Sequence, residues 1–248
     1  MDASDESHGA VRGCVDADAR AFRRLFMWRR RTRDKTPMAY STEVATLRAE
    51  VQSRTRRFAE TVVAPLARLG ITPNALTVTG LILNIGAGMV LASGEWIIGG
   101  ALVLIAGAFD MFDGALARVL NQKTDFGAFL DSTLDRYSEV AVLVGLQIGF
   151  LQDESLVDYR LTGIGLGAAI LANSLMISYA RARAEGLRLD CEVGWFQRPE
   201  RVAFTGIATM LPTTLMMVGL AILAVGTLWT VGQRIHHVWQ LTERERRR

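Results

Sequence analysis

The chain has 248 residues, half of them hydrophobic, a mean hydropathy of +0.22 and a net charge of +3. Two cysteines far apart, Cys14 and Cys191, exclude a disulfide scaffold or a CxxC site and read as free thiols in a reducing compartment. Half of the 28 Lys and Arg residues precede residue 75, whereas the remainder alternates long apolar runs with short charged links. A uniform soluble domain is thereby excluded, and a membrane rather than nucleic acid is the expected neighbour.

Residues 1–40 form a polar, basic N-terminal extension. The first 20 lack an apolar core, so no secretory leader is expected. Residues 21–35 set Phe22, Leu25, Phe26 and Trp28 among arginines and Lys35; contact with anionic lipid and a plain basic juxtamembrane segment are both open, and no nucleic-acid motif accompanies them. Residues 41–73 read as an amphipathic juxtamembrane segment, with a partial stripe of Val44, Leu47, Val51, Phe58, Val62, Leu66 and Leu69. Thr72 and Pro73 then make a helix start, and the Asn74 amide is placed to reach a polar cavity.

From residue 74 to 239 the apolar runs are 75–93, 96–118, 128–150, 161–182, about 201–213 and 214–238. All but the fifth match a bilayer core of about 30 Å at about 1.5 Å per residue. The links at Gly94–Glu95, 153–160 and Pro212 carry one arginine, and the opposite links carry most of the others. The predicted fold is an all-α integral membrane protein of six transmembrane helices preceded by an amphipathic interfacial helix. Both termini, including the basic tail 240–248, are expected on the cytoplasmic side.

The junction of the second and third runs reads Asp110-x2-Asp113-Gly114-x2-Ala117-Arg118-x8-Gly127-x3-Asp131-x3-Asp135. Carboxylates flanked by apolar sequence are costly unless a cation meets them, and Arg118 alone cannot neutralise four. Asp110 and Asp113 share one helix face, and Asp131 and Asp135 share another; Gly114, Ala117 and Gly127 leave bare backbone on those faces. Hard oxygen donors beside open backbone suit Mg2+ or Mn2+, and two such ions against phosphates suit phosphoryl transfer.

This motif resembles, at every fixed position, that of the CDP-alcohol phosphatidyltransferases. The resemblance covers residues 70–239 and implies a six-helix membrane enzyme, usually a homodimer, that moves a phosphatidyl group from a CDP-lipid to an alcohol with release of CMP. It implies Asp110, Asp113, Asp131 and Asp135 as metal ligands and Asp135 also as general base. It places Asn74, Asp113, Gly114, Ala117, Arg118 and Gly127 at the CDP-lipid.

Further along, Ser178, Arg181, Arg198 and Arg234 lie at the cytoplasmic ends of three helices, where guanidinium groups suit an acceptor phosphate. Ser178-Tyr-x-Arg181-Ala-Arg183-Ala-Glu185 and Arg198-Pro-Glu-Arg201 resemble the branch that uses inositol 1-phosphate. There a Lys often stands where Arg181 is, so the charge is kept and the geometry changes. Glycerol 3-phosphate is the alternative acceptor. Membrane prenyltransferases would need a second Asp-rich cluster, and a divalent-cation carrier would place its acids near mid-membrane.

Overall fold

The structure is a computed structural model. It describes residues 72–120 and 124–247, apart from the side chains of Met111, Asp113 and Glu245. The expected extension 1–40, the amphipathic helix over 41–69, Lys123 and the Asp113 side chain lie outside the described residues.

Among the described residues there are six α-helices and no strand: α1 Pro73–Ala92, α2 Trp96–Val119, α3 Asp125–Gln152, α4 Arg160–Gly186, α5 Arg198–Thr209 and α6 Thr213–Arg246, with a 3-10 turn Glu154–Tyr159 before α4. The helix starts follow from local chemistry. Thr72 Oγ1 accepts from the Ala75 amide at 3.3 Å, with Pro73 at the first position. Thr124 Oγ1 accepts from the Gly127 amide at 3.0 Å, with Asp125 in the first turn of α3. α4 ends on Arg188 in the left-handed region (φ 64°), with the Leu189 amide returning to the Ala184 carbonyl and the Arg188 amide to that of Glu185. α6 runs past the expected end at 239, because nothing between His236 and Arg246 breaks a helix and Glu243 pairs with Arg246 and Arg247.

α1 packs on α2 and α3, α4 on α3 and α6, and α5 on α2 and α6. The core is apolar, built on Leu91, Val103, Leu143, Leu146, Phe150, Ile170, Leu220 and Leu223. A Cβ at Gly145 or Gly88 would strike the facing backbone of the other helix, so α1 and α3 approach at a distance only glycine allows. Gly163 and Gly167 likewise face Phe150 and Gln147 inside the bundle, while Gly165 faces open space.

The outside of the bundle is equally apolar. Ile82, Met89, Ile97, Ile105, Leu161 and Val225 are each at least 60% exposed. A surface of that kind is covered by lipid rather than water. Among the described residues, four helices (α1, α2, α4 and α6) are long and apolar enough to cross a membrane. α3 carries Asp125, Asp131, Asp135, Arg136 and Glu139 between its start and its midpoint region, and the 12 residues of α5 reach only about 18 Å. At the end remote from the motif, the Trp96 indole donates to Asp153 Oδ2 at 2.8 Å, joining the start of α2 to the end of α3.

Candidate active site

The starts of α1 and α3 and the end of α2 meet around a cavity of about 230 Å3. Asn74, Gly114, Ala117, Arg118 and Gly127 all line it, together with Asp131. Five of the six residues expected at the CDP-lipid therefore face one space; the sixth is Asp113. Two helix N-termini open on this space, and their unpaired N–H groups and positive dipole ends favour an anion. Thr124, which caps α3, lines the cavity as well, as does Thr77 on α1; neither was singled out in the sequence. The signal for Thr124 was a threonine before an acidic first turn. A Cβ at Gly127 would stand 3.0 Å from Thr124 Oγ1 and 3.4 Å from Asn74 Oδ1, so the absent side chain keeps this wall thin.

Beside the cavity, two of the motif carboxylates converge. Arg198, at the first position of α5, points Nη2 between Asp110 Oδ2 at 2.6 Å and Asp135 Oδ1 at 2.9 Å. Asp110 and Asp135 are 10% and 16% exposed and Arg198 is 27% exposed, so the junction opens toward the helix ends. Asp131 lies one turn before Asp135 and faces the cavity. Among the described side chains no three of His, Cys, Asp or Glu converge on one point. Nonetheless the donor set fits a divalent cation: hard carboxylate oxygens from two helices already close on a single positively charged nitrogen. Arg136 adds a second positive charge, with Nη1 on the Ser132 carbonyl and 4.0 Å from Asp135 Oδ2.

Each arginine of the expected acceptor set meets partners within the protein. Arg198 lies on the carboxylates. Arg234 is 4% exposed, and its Nε donates to the Val193 carbonyl at 3.0 Å and its Nη1 to the Ile177 carbonyl. One of these carbonyls, Val193, belongs to the segment 187–197, which is not helical and leaves carbonyls that need donors; the other, Ile177, is buried within α4. The same segment is tied to α6 by Gln233, which accepts from the Trp195 amide at 3.2 Å, and by Thr230, which accepts from the Phe196 amide at 3.2 Å. Arg181 is exposed and donates to Glu185 at 2.8 Å and Glu192 at 3.3 Å. Ser178 follows Ile177 on α4 and is half-buried.

Sequence reasoning also passed over Glu139. It pairs with Arg201 between α3 and α5, with both side chains buried. Its signal was the i+4 register that continues from Asp131 through Asp135.

A family model described as CDP-alcohol phosphatidyltransferase matches residues 70–240. The archaetidylinositol phosphate synthase of Methanothermobacter thermautotrophicus is 36% identical over 190 residues, covering 75% of this chain and 90% of that protein. A crystal structure of the phosphatidylinositol phosphate synthase of Mycobacterium tuberculosis with CDP-DAG bound superposes with a TM-score of 0.66 at 31% identity, covering 74% of this chain and 94% of the other. The same enzyme in complex with manganese and citrate gives a TM-score of 0.66 at 31% identity, covering 73% and 88%. The carboxylate motif, the cavity it lines and these matches agree: the chain belongs to the CDP-alcohol phosphatidyltransferase family.

Proposed function

We propose that this membrane-embedded CDP-alcohol phosphatidyltransferase takes a CDP-lipid such as CDP-diacylglycerol as donor and inositol 1-phosphate as acceptor, and releases CMP. One observation carries the reading: a single cavity is lined by Asn74, Gly114, Ala117, Arg118 and Gly127, and it adjoins the Asp110–Arg198–Asp135 junction. The acceptor's identity is supported by the relatives, whose names carry inositol phosphate.

The nucleotide and its phosphates occupy the cavity, against the starts of α1 and α3, with Arg118 at its edge. Asp110, Asp113, Asp131 and Asp135 hold Mg2+ or Mn2+, two ions per site. Bound there, the ions neutralise charge that builds on the pyrophosphate. Asp135 accepts the proton of the attacking acceptor hydroxyl. That oxygen bonds to the phosphorus next to the lipid, and the bond from this phosphorus to the CMP oxygen breaks. Arg198 binds the acceptor phosphate, with Ser178, Arg181 and Arg234 on the same side of the bundle. Arg234 has two of its three nitrogens on backbone carbonyls, so its part is to hold the loop beside the phosphate more than to grip it.

The six helices form the membrane domain, with the short α5 spanning only part of the bilayer, the active site and both termini face the cytoplasm, and the enzyme works as a homodimer among membrane lipids. The bias of arginines to one set of links supports this orientation. An acceptor panel tests the assignment: CMP release from CDP-diacylglycerol with inositol 1-phosphate, glycerol 3-phosphate, serine or inositol. Turnover with inositol 1-phosphate alone is the expected result. Preference for glycerol 3-phosphate would refute the acceptor and leave the reaction class standing.

A further inference from the structure

One turn deeper than the Asp110–Arg198–Asp135 junction lies an ion pair that the reaction does not use. Arg201 Nε donates to Glu139 Oε1 at 2.7 Å and Nη2 donates to Glu139 Oε2 at 2.8 Å. The two side chains are 3% and 8% exposed. Glu139 is four residues after Asp135 on α3, and Arg201 is three residues after Arg198 on α5. The two pairs are therefore successive rungs between the same two helices.

The rungs differ in kind. The upper one is a single contact that Nη2 of Arg198 shares between two carboxylates near the helix ends. The lower one is bidentate, and a fork on a carboxylate fixes height and rotation together. Arg201 Nη1 also donates to the Phe196 carbonyl at 3.2 Å, which ties down the chain two residues before Arg198. α5 is only 12 residues long, and its cap residue Gln197 makes no side-chain capping bond. A buried ion pair is a weak source of stability compared with an apolar pair of the same volume, and its best-attested use is to set register.

We infer that Glu139 and Arg201 are positioning residues: the deep rung sets where the first turn of α5 stands, and thereby holds Arg198 opposite Asp110 and Asp135. This rests on the reading of Arg198 as an acceptor-binding residue.

The test is a kinetic cycle on purified enzyme in lipid-detergent micelles. CDP-diacylglycerol is the donor, and inositol 1-phosphate is the acceptor, or glycerol 3-phosphate if that is what turns over. The variants are Glu139→Asp, Arg198→Ala and the two combined. Glu139→Asp keeps the buried charge but withdraws it by one methylene. It is expected to raise the acceptor KM about tenfold while the CDP-lipid KM stays within about twofold. In the Arg198→Ala background it is expected to add nothing. Multiplying effects in the double variant, or a fall in kcat with both KM values unchanged, would overturn the inference. Arg198→Ala with a wild-type acceptor KM would sink the reading of Arg198 and this inference together. An impaired Arg198→Ala beside a wild-type Glu139→Asp would sink the inference alone. Replacing both partners, Glu139→Leu with Arg201→Met, separates stability from placement: thermal stability near wild type with a raised acceptor KM is expected, and a wild-type KM overturns the proposal.

Discussion

Gly80 gives a sharp test of how the carboxylate junction is held. It lies on α1 and is buried against Asp110 of α2. A Cβ there would collide with Asp110 Oδ1, while the next atoms, Asp110 Cγ at 3.6 Å and Phe109 Cδ1 at 4.0 Å, are in ordinary contact. Only the tip of one side chain must give way in Gly80→Ala. Relief needs a displacement of about 1 Å, which an Asp side chain makes at a rotamer cost of about 1 kcal/mol. The other oxygen of that carboxylate holds Arg198 at 2.6 Å, so the same motion breaks a charge-assisted hydrogen bond of about 1.5–3 kcal/mol. Alanine returns about 1 kcal/mol through helix propensity. The net change in stability is thus modest, about 1.5–3 kcal/mol of loss. The effect on rate is expected to be larger, about a hundredfold, because a misplacement of about 1 Å at reacting groups costs that much. Initial CMP release and thermal unfolding in the same micelles measure both. Gly165→Ala is the control: its Cβ meets nothing within 4 Å, so it should gain the helix propensity and keep wild-type activity. A Gly80→Ala enzyme that unfolds as if its core were broken, or that turns over at the wild-type rate, would refute the reasoning.

Four further outcomes are expected. Removal of divalent ions with EDTA should abolish CMP release, Mg2+ or Mn2+ should restore it, and Asp113→Asn should lose orders of magnitude of rate even with metal in excess. Arg234→Ala should loosen the segment around Val193, so Cys191, now fully buried and with its thiol pushed up by burial, should react with a maleimide about tenfold faster or more in a Cys14→Ser background; unchanged labelling would show that the bonds from Gln233 and Thr230 hold the loop by themselves. Hydrogen bonds from Ser155 and from the Trp96 indole hold the Asp153 carboxyl below its ordinary value of 3.8, so its contribution to stability is present above that pH and lost as pH falls below it. Asp153→Asn should accordingly be less stable than wild type at neutral pH and converge with it in acid; a constant difference would refute the linkage. A single cysteine at Lys123 should be labelled from the cytoplasmic side and one at Asp153 from the other, and the reverse pattern would invert the topology.

Much of the site was legible because it is local. Asp110, Gly114, Ala117, Arg118, Gly127 and Asp131 fall on two consecutive helices, and helical register alone puts the cavity-lining members on facing surfaces. Thr72 and Thr124 were readable as caps by the same local logic, although Thr124's place in the cavity wall was not. What stayed hidden depends on partners far away in the chain. Arg198 meets Asp110 across 88 residues, Arg201 meets Glu139 across 62, and Arg234 meets Ile177 across 57. Periodicity gives each helix a face but not the neighbour that the face meets. An arginine at membrane depth does need a reason. For Arg234 the reason is two backbone carbonyls, one at an unwound segment and one on α4, and no sequence pattern distinguishes that from a phosphate.

Depth explains why the two rungs between α3 and α5 have different partners for the same chemistry. A charge close to the helix ends can exchange one partner for another, because water and ligand ions reach it as it moves. A charge one turn deeper cannot, since leaving either partner alone there costs several kcal/mol. A transferase that binds two phosphorylated substrates needs cations that let go of the product. It also needs those cations in the same place at the next turnover. On the proposed reading, Arg198 and Asp135, at 27% and 16% exposure, would meet the first need, and Arg201 and Glu139, at 3% and 8%, the second. A short helix with a weak cap can then carry a working guanidinium, because its height is fixed from below rather than by its own length.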